Sequence, residues 1–247
     1  MKRILPLIAA SIALTSISEA VLVAGFDFQT TTNGGTAAVA SATSPAVVAS
    51  PLTYAANFGT ATLYLDGTHG SSTFTTGVAN PQLTAFGGSA VNTADTSFST
   101  TTSGAAALAI ANSTANGNRM VFALSLTDLE ALNISYSTQK TATGFTTQEW
   151  SYSTNGTTFT TFDTKSWAAG TATAFATVGT VTLDTSALTV LNGVETVYIG
   201  VTFTGATATA GNNRLDNIQF NAVAAVPEPG AASLGAFGLL GLLRRRR

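Results

Sequence analysis

The octapeptide Val197–Thr204, VYIGVTFT, places large apolar residues at every second position. In an extended chain Val197, Ile199, Val201 and Phe203 share one face, and Tyr198, Gly200, Thr202 and Thr204 share the other. A helix would scatter both sets around its circumference. The same period returns in RMVFALSL, where Met120, Phe122, Leu124 and Leu126 align, and in LNISYS, where Leu132, Ile134 and Tyr136 do. Such alternation predicts half-buried antiparallel strands. Turn dipeptides separate the runs: Asn33–Gly34, Asp66–Gly67, Asn116–Gly117, Asn155–Gly156 and Asn192–Gly193. The expected fold is therefore all-β, an antiparallel β-sandwich or jelly roll over residues 21–225.

Helical signal is weak. TDLEAL and TSALTVLNG each predict a single turn, the second stopped by Gly193. AAALAIAN suits a helix by propensity and a strand by position. Residues 29–50 show no clear period and read as a long loop or an edge strand. No internal repeat or interdomain linker interrupts 21–225.

Only 9% of the residues are charged, against about 25% in an ordinary soluble domain. The charges are also unevenly placed. Lys2, Arg3 and Arg244 to Arg247 hold six of the ten bases at the two ends. Between residues 20 and 226 ten acids face four bases, a net of −6. Such a body has no patch able to displace phosphate counterions, which excludes nucleic acid as a partner; it suits a cation. The absence of cysteine removes disulfides, thiol nucleophiles and thiolate metal sites together.

Both ends read as addresses. Residues 1–20 form a signal peptide, with Lys2 and Arg3 as its charged start and Ile4 to Leu14 as its apolar run. Ser18 and Ala20 are the small residues of the cleavage site. At the other end Pro227, Glu228 and Pro229 stop any preceding strand. The uncharged run from Ala231 to Leu243 would rise about 20 Å as a helix, short of the roughly 30 Å hydrocarbon core. Arg244, Arg245, Arg246 and Arg247 then act as a stop-transfer cluster that keeps this end cytoplasmic. Their stems snorkel to lengthen the short span.

Pro-Glu-Pro, a short Gly- and Leu-rich helix and a terminal arginine cluster, in that order, resemble the PEP-CTERM sorting signal. The resemblance covers residues 226–247. It implies removal of the leader by signal peptidase and temporary anchoring in the inner membrane by the C-terminal helix. An exosortase-like enzyme would then process the tail and pass the chain to the cell surface or exopolysaccharide matrix. It assigns no activity to the body.

Two segments of the body carry a second resemblance. ISYSTQKTATGFTTQEWSYSTNGTTFTTF reads as two strands paired across a loop, and its WSYSTNGTTFT hairpin is similar to the Tyr-Ser-Thr-Asp-Gly hairpin of secreted jelly-roll modules. NNRLDNIQFNA is similar to the closing strand of such modules. In secreted carbohydrate-binding jelly rolls the first and last strands share a calcium ion. That implies a structural Ca²⁺ between Asp27 of AGFDF and Asp216 of RLDNIQF, its shell completed by backbone carbonyls and Asn217, although Asn217 stands where a second aspartate is common. Strand parity puts Asp216 on the face of Ile218 and Phe220, where a carboxylate is costly unless paired or metal-bound. The other reading has Asp27 and Asp216 bonded to backbone amides or to Arg214. No cofactor is otherwise required.

No catalytic constellation emerges. His69, the one histidine, sits in a turn with no Gly-x-Ser-x-Gly elbow to serve. Asp128, Glu130, Glu149, Asp163, Asp184 and Glu195 are candidates for a glycosidase pair, but isolated acids in turns more commonly cap or are solvated. Trp150, Trp167, Tyr64, Tyr152 and Tyr198 are candidates for a sugar-stacking platform. Trp150 and Tyr152 share strand parity and so lie on one face, and the other reading is that these rings fill the core. Trp167, in DTKSWAAG, is the candidate for glycan contact. The expectation is a non-catalytic, exported surface or matrix protein whose sandwich adheres to or organises exopolysaccharide. The rivals are a secreted polysaccharide-active hydrolase or accessory carbohydrate-binding module, and a purely structural coat protein.

Overall fold

The alternation of Val197–Thr204 is realised as a strand whose four apolar side chains are fully buried. The computed structural model describes residues 19–28, 46–48, 52–93, 98, 100 and 106–225. The leader up to residue 18, the Asn33–Gly34 turn and the whole tail 226–247, with its Pro-Glu-Pro, apolar run and arginines, lie outside the described residues. No helix among the described residues is long and apolar enough to cross a membrane.

The strands are β1 (Ala20–Phe26), β2 (Ala46–Val47), β3 (Thr53–Ala55), β4 (Phe58–Gly59), β5 (Ala61–Tyr64), β6 (Leu83–Phe86) and β7 (Ala107–Ala111). There follow β8 (Arg119–Leu124), β9 (Leu129–Lys140), β10 (Thr147–Ser153), β11 (Thr160–Ser166), β12 (Thr180–Thr182), β13 (Val197–Thr204) and β14 (Asn212–Ala224). One helical turn, α1 (Phe175–Val178), and short 3₁₀ turns complete the set. AAALAIAN is thus strand, and TDLEAL is a turn running into β9. TSALTVLNG gives the 3₁₀ turn Ser186–Leu191.

All pairings are antiparallel, and they make two sheets among the described residues. The six-stranded sheet runs β11-β10-β13-β8-β5-β3. The eight-stranded sheet runs β12-β9-β14-β7-β6-β2, with β1 against β14 and β4 against β1. Their inner faces close on one core, the arrangement of a β-sandwich. Phe26, Phe122 and Phe220 pack there with ring centroids 5.2–6.4 Å apart.

β14 organises the larger sheet. β9 covers one of its edges from Asn213 to Ala224. The other edge is divided: β7 pairs with Asn212 to Leu215, and β1 with Ile218 to Val223. Asp216 and Asn217 lie at the junction. There the β9 register slips, and Asn217 takes a left-handed φ of 49°. This bulge corrects the parity argument. Leu215 and Ile218 both face the core, so Asp216, opposite Ser137, points to the outer face.

A second correction concerns β9 and β10. They do not pair. The 141–146 connection carries the chain from one sheet to the other, and Gly144 permits it, because a Cβ there would lie 2.3 Å from the Asn212 carbonyl oxygen. Tyr136 of β9 and Trp150 of β10 consequently meet across the core, ring centroids 5.0 Å apart. The β10–β11 hairpin forms as expected around Gly156, whose φ is 69°.

Candidate functional site

Asp27 and Asp216 come together. Phe26 lies opposite Ile218 in the β1–β14 pair, so Asp27, the next residue, leaves the strand beside the bulge. Both aspartates are wholly shielded from solvent. The loop after β6 forms the lid. The Ser89 amide donates to Asp216 Oδ2 at 2.6 Å, and the Asn217 amide to Oδ1 at 2.9 Å. Asn217 Nδ2 donates to the carbonyls of Ser89 and Val91, both at 2.8 Å. Asn92 Nδ2 donates to the Asn217 carbonyl at 2.7 Å, and Gln219 Nε2 to the Asn92 carbonyl at 2.7 Å. Gly88 lets the lid approach: a Cβ there would fall 2.8 Å from Asp216 Oδ2.

Two electrostatic facts follow from this enclosure. Burial drives the Asp216 carboxyl well above the ordinary carboxylate range, and the nearby Asp27 carboxylate pushes it the same way; the two amide donors oppose them. Arg214 offers no relief. Its guanidinium stacks over Phe86, 4.2 Å from the ring centroid. The second fact is an orphan. Two carbonyl acceptors fix the orientation of the Asn217 amide and so identify its nitrogen and its oxygen. That buried Oδ1 has no hydrogen-bond partner, an arrangement that costs about 1–3 kcal/mol.

This donor set fits a hard cation. Two carboxylates and an unpartnered amide oxygen are oxygen ligands of the kind calcium takes. A cation would stabilise both carboxylates in their charged form and give Asn217 Oδ1 a partner. Asp216 does accept backbone amides, as one reading anticipated, while the Arg214 guanidinium lies over Phe86.

The other candidates fall elsewhere. Trp150 is fully buried, and its Nε1 donates to the Tyr136 hydroxyl; Tyr152 packs against the core. Trp167 follows β11 and is half-buried, its amide bonded to the Thr146 carbonyl at 2.9 Å. Asp163 and Asp184 are brought together, since Asp163 Oδ2 accepts the Asp184 amide at 2.8 Å. Lys165 binds the same Asp163 oxygen at 2.9 Å, so the cluster is partly neutralised. Asp128, Glu149 and Glu195 are exposed on separate turns and strands, and Glu130 is half-buried at the start of β9. His69 is exposed, and its ring stacks on Tyr198 and meets Tyr64 edge-on. Sequence reasoning offered Asn217 for the shell but missed the lid. The lid's partners lie more than 120 residues away in sequence, beyond the reach of any local pattern.

No protein-family model matches the chain, and no curated protein matches its sequence. Solved structures resembling it include TmCBM61 in complex with β-1,4-galactotriose, at 7% identity and a TM-score of 0.31, covering 49% of this chain and 72% of that one. The K2 cleaved adhesin domain of Lys-gingipain is another, at 14% identity and a TM-score of 0.33, covering 56% and 82%. Neither likeness transfers a ligand or a site.

Proposed function

We propose that this chain is an exported surface or matrix protein whose jelly-roll-like sandwich is closed by calcium and adheres to extracellular polysaccharide. The observation that carries the reading is the shielded Asp27–Asp216 pair beside the orphaned Asn217 oxygen. Asp27 and Asp216 would hold the ion with Asn217 Oδ1, and carbonyls would complete the shell. The ion would supply charge compensation between the first and last strands, with no chemical step. Two carboxylates make a low-charge site. Sites of that kind fit extracellular modules, which bind calcium at roughly 10⁻⁴–10⁻³ M. The leader and the PEP-CTERM-like tail support the same destination, with Pro227, Glu228 and Pro229 as the processing motif.

The test is thermal unfolding of the full chain with millimolar calcium and with EDTA. An ion that binds only the folded state raises the melting temperature with its concentration. Asp216→Asn should abolish that rise. An identical transition in both buffers, with no calcium by elemental analysis, removes the ion from the proposal. Export is tested separately by a periplasmic reporter fused before Pro227; a cytoplasmic signal from it refutes the address.

A further inference from the structure

Beyond the calcium crypt, the outer face of the six-stranded sheet carries a cluster of rings around an arginine. Tyr64 on β5 and Tyr198 on β13 project outward, while Leu63, Ile199 and Phe122 fill the core. The Asp66–Thr73 loop folds back over this face and inserts His69 between them. The imidazole lies 4.6 Å from the Tyr64 centroid and 5.0 Å from that of Tyr198, nearly parallel to the latter at 28°. His69 is held at φ 50°, left-handed for a residue with a side chain. Strain of this sort collects at functional positions and needs support from its surroundings. Gly156 of the β10–β11 turn supplies it from the other side, close against both Tyr198 and the imidazole.

The arginine sits alongside. Phe159 lies over Gly200, where a Cβ would meet both the Phe159 ring at 3.1 Å and the Arg119 stem at 2.9 Å. The Arg119 guanidinium stacks on Phe159 at 4.4 Å, and its Nε donates to Thr202 Oγ1 at 3.2 Å. Among the described residues its two terminal nitrogens have no hydrogen-bond partner, and it forms no ion pair. The other bases of the body are engaged differently. Lys140 is buried with its ammonium on the carbonyls of Thr171 and Thr141, Lys165 is paired with Asp163, and Arg214 stacks on Phe86 of the opposite sheet. On an acidic body, Arg119 is a pre-oriented, unneutralised cation set among aromatic rings.

We propose that this face, built from Tyr64, His69, Tyr198, Phe159 and Arg119, binds a polysaccharide carrying uronic acid carboxylates. The inference rests on the adhesive reading above and names its site and ligand class. Charge complementarity selects the occupant. The planar guanidinium presents a fork that fits a carboxylate, and the rings offer apolar surface to the CH faces of pyranose units. Thr62 and Thr202 flank them with hydroxyls on the same face.

The experiment is isothermal titration of the full chain, in detergent and calcium-containing buffer. The probes are an oligosaccharide of glucuronic acid and the glucose oligosaccharide of the same linkage and length. The acidic probe should bind and the neutral one should bind at least about tenfold more weakly, as expected for loss of a charge-assisted hydrogen bond. Arg119→Gln should abolish the difference between the probes. Tyr198→Ala should weaken both. Melting temperatures confirm that the variants fold, and Arg119→Lys, which keeps the charge but not the fork, should retain part of the preference. Unchanged affinities in folded Arg119→Gln and Tyr198→Ala, with a loss in Trp167→Ala, would move the site to Trp167 and leave adhesion standing. Equal binding of both probes by the parent overturns the acidic ligand. If the chain retains neither probe nor any other glycan on an array, the adhesive reading itself fails, and this face fails with it.

Discussion

The Tyr136 hydroxyl, on the eight-stranded sheet, donates to Gln148 Oε1 on the facing sheet at 2.6 Å, and both side chains are shut off from solvent. The same hydroxyl accepts from Trp150 Nε1 at 3.3 Å, and Gln148 Nε2 donates to Thr138 Oγ1 at 3.2 Å. This buried chain fixes how the sheets align. Tyr136→Phe strands an acceptor on Gln148 and a donor on Trp150. The expected loss is about 1–3 kcal/mol in urea unfolding, with no change in the calcium response. Wild-type stability in that variant would mean water reaches the network.

Alkaline pH probes the same core. Burial raises the Tyr54 phenol to about 12 and drives that of Tyr136 higher still. In the unfolded chain both ionise near 10. Between these values the unfolded state binds fewer protons, so stability falls as pH rises. Absorbance titration should show Tyr54 and Tyr136 ionising only together with unfolding. Ionisation of Tyr54 and Tyr136 near pH 10, ahead of unfolding, would contradict their burial.

Gly88→Ala is the sharpest test of the lid. Its methyl would sit within 3 Å of Asp216 Oδ2 and of Ala106, and overpacking of this kind costs about 1–3 kcal/mol. The variant should melt earlier and lose much of its calcium-dependent rise. A variant that melts early but keeps the full calcium increment would separate the lid from the ion.

Truncation tests the place of β14. The last described backbone hydrogen bond runs from the Ala225 amide to the Asp128 carbonyl at 2.9 Å. Removal of everything after residue 226 should leave the melting temperature unchanged, as processing near Pro227 would require. Removal from Asn212 onward takes away the partner of β9, β7 and β1 together and should abolish cooperative unfolding.

Local chemistry made much of the sandwich legible. Gly67, Gly117, Gly156 and Gly193, each second in a turn dipeptide, all adopt positive φ, because only glycine takes that conformation without steric cost. β13 falls on the alternating octapeptide. Pairing was less legible. Nothing in the 141–146 connection states that the chain changes sheets there, since that depends on Gly144 meeting Asn212, a contact far along the chain. The Asp27–Asp216 proximity was anticipated by resemblance. The face on which Asp216 lies was misjudged because one residue, Asn217, is inserted into the ladder, and an inserted residue reverses every parity beyond it.

The position of β14 sets a direction for assembly. A chain crossing a membrane from its N-terminus delivers β1 first and β14 last. Until Ile218 to Val223 arrive, β1 has, among the described residues, only the two residues of β4 to pair with, and no described strand lies between β7 and β9. The larger sheet is therefore completed by the final residues of the body to emerge. On the proposed export route the chain would stay open, and so threadable, for almost its whole passage, and would close only as the last strand of the body arrives.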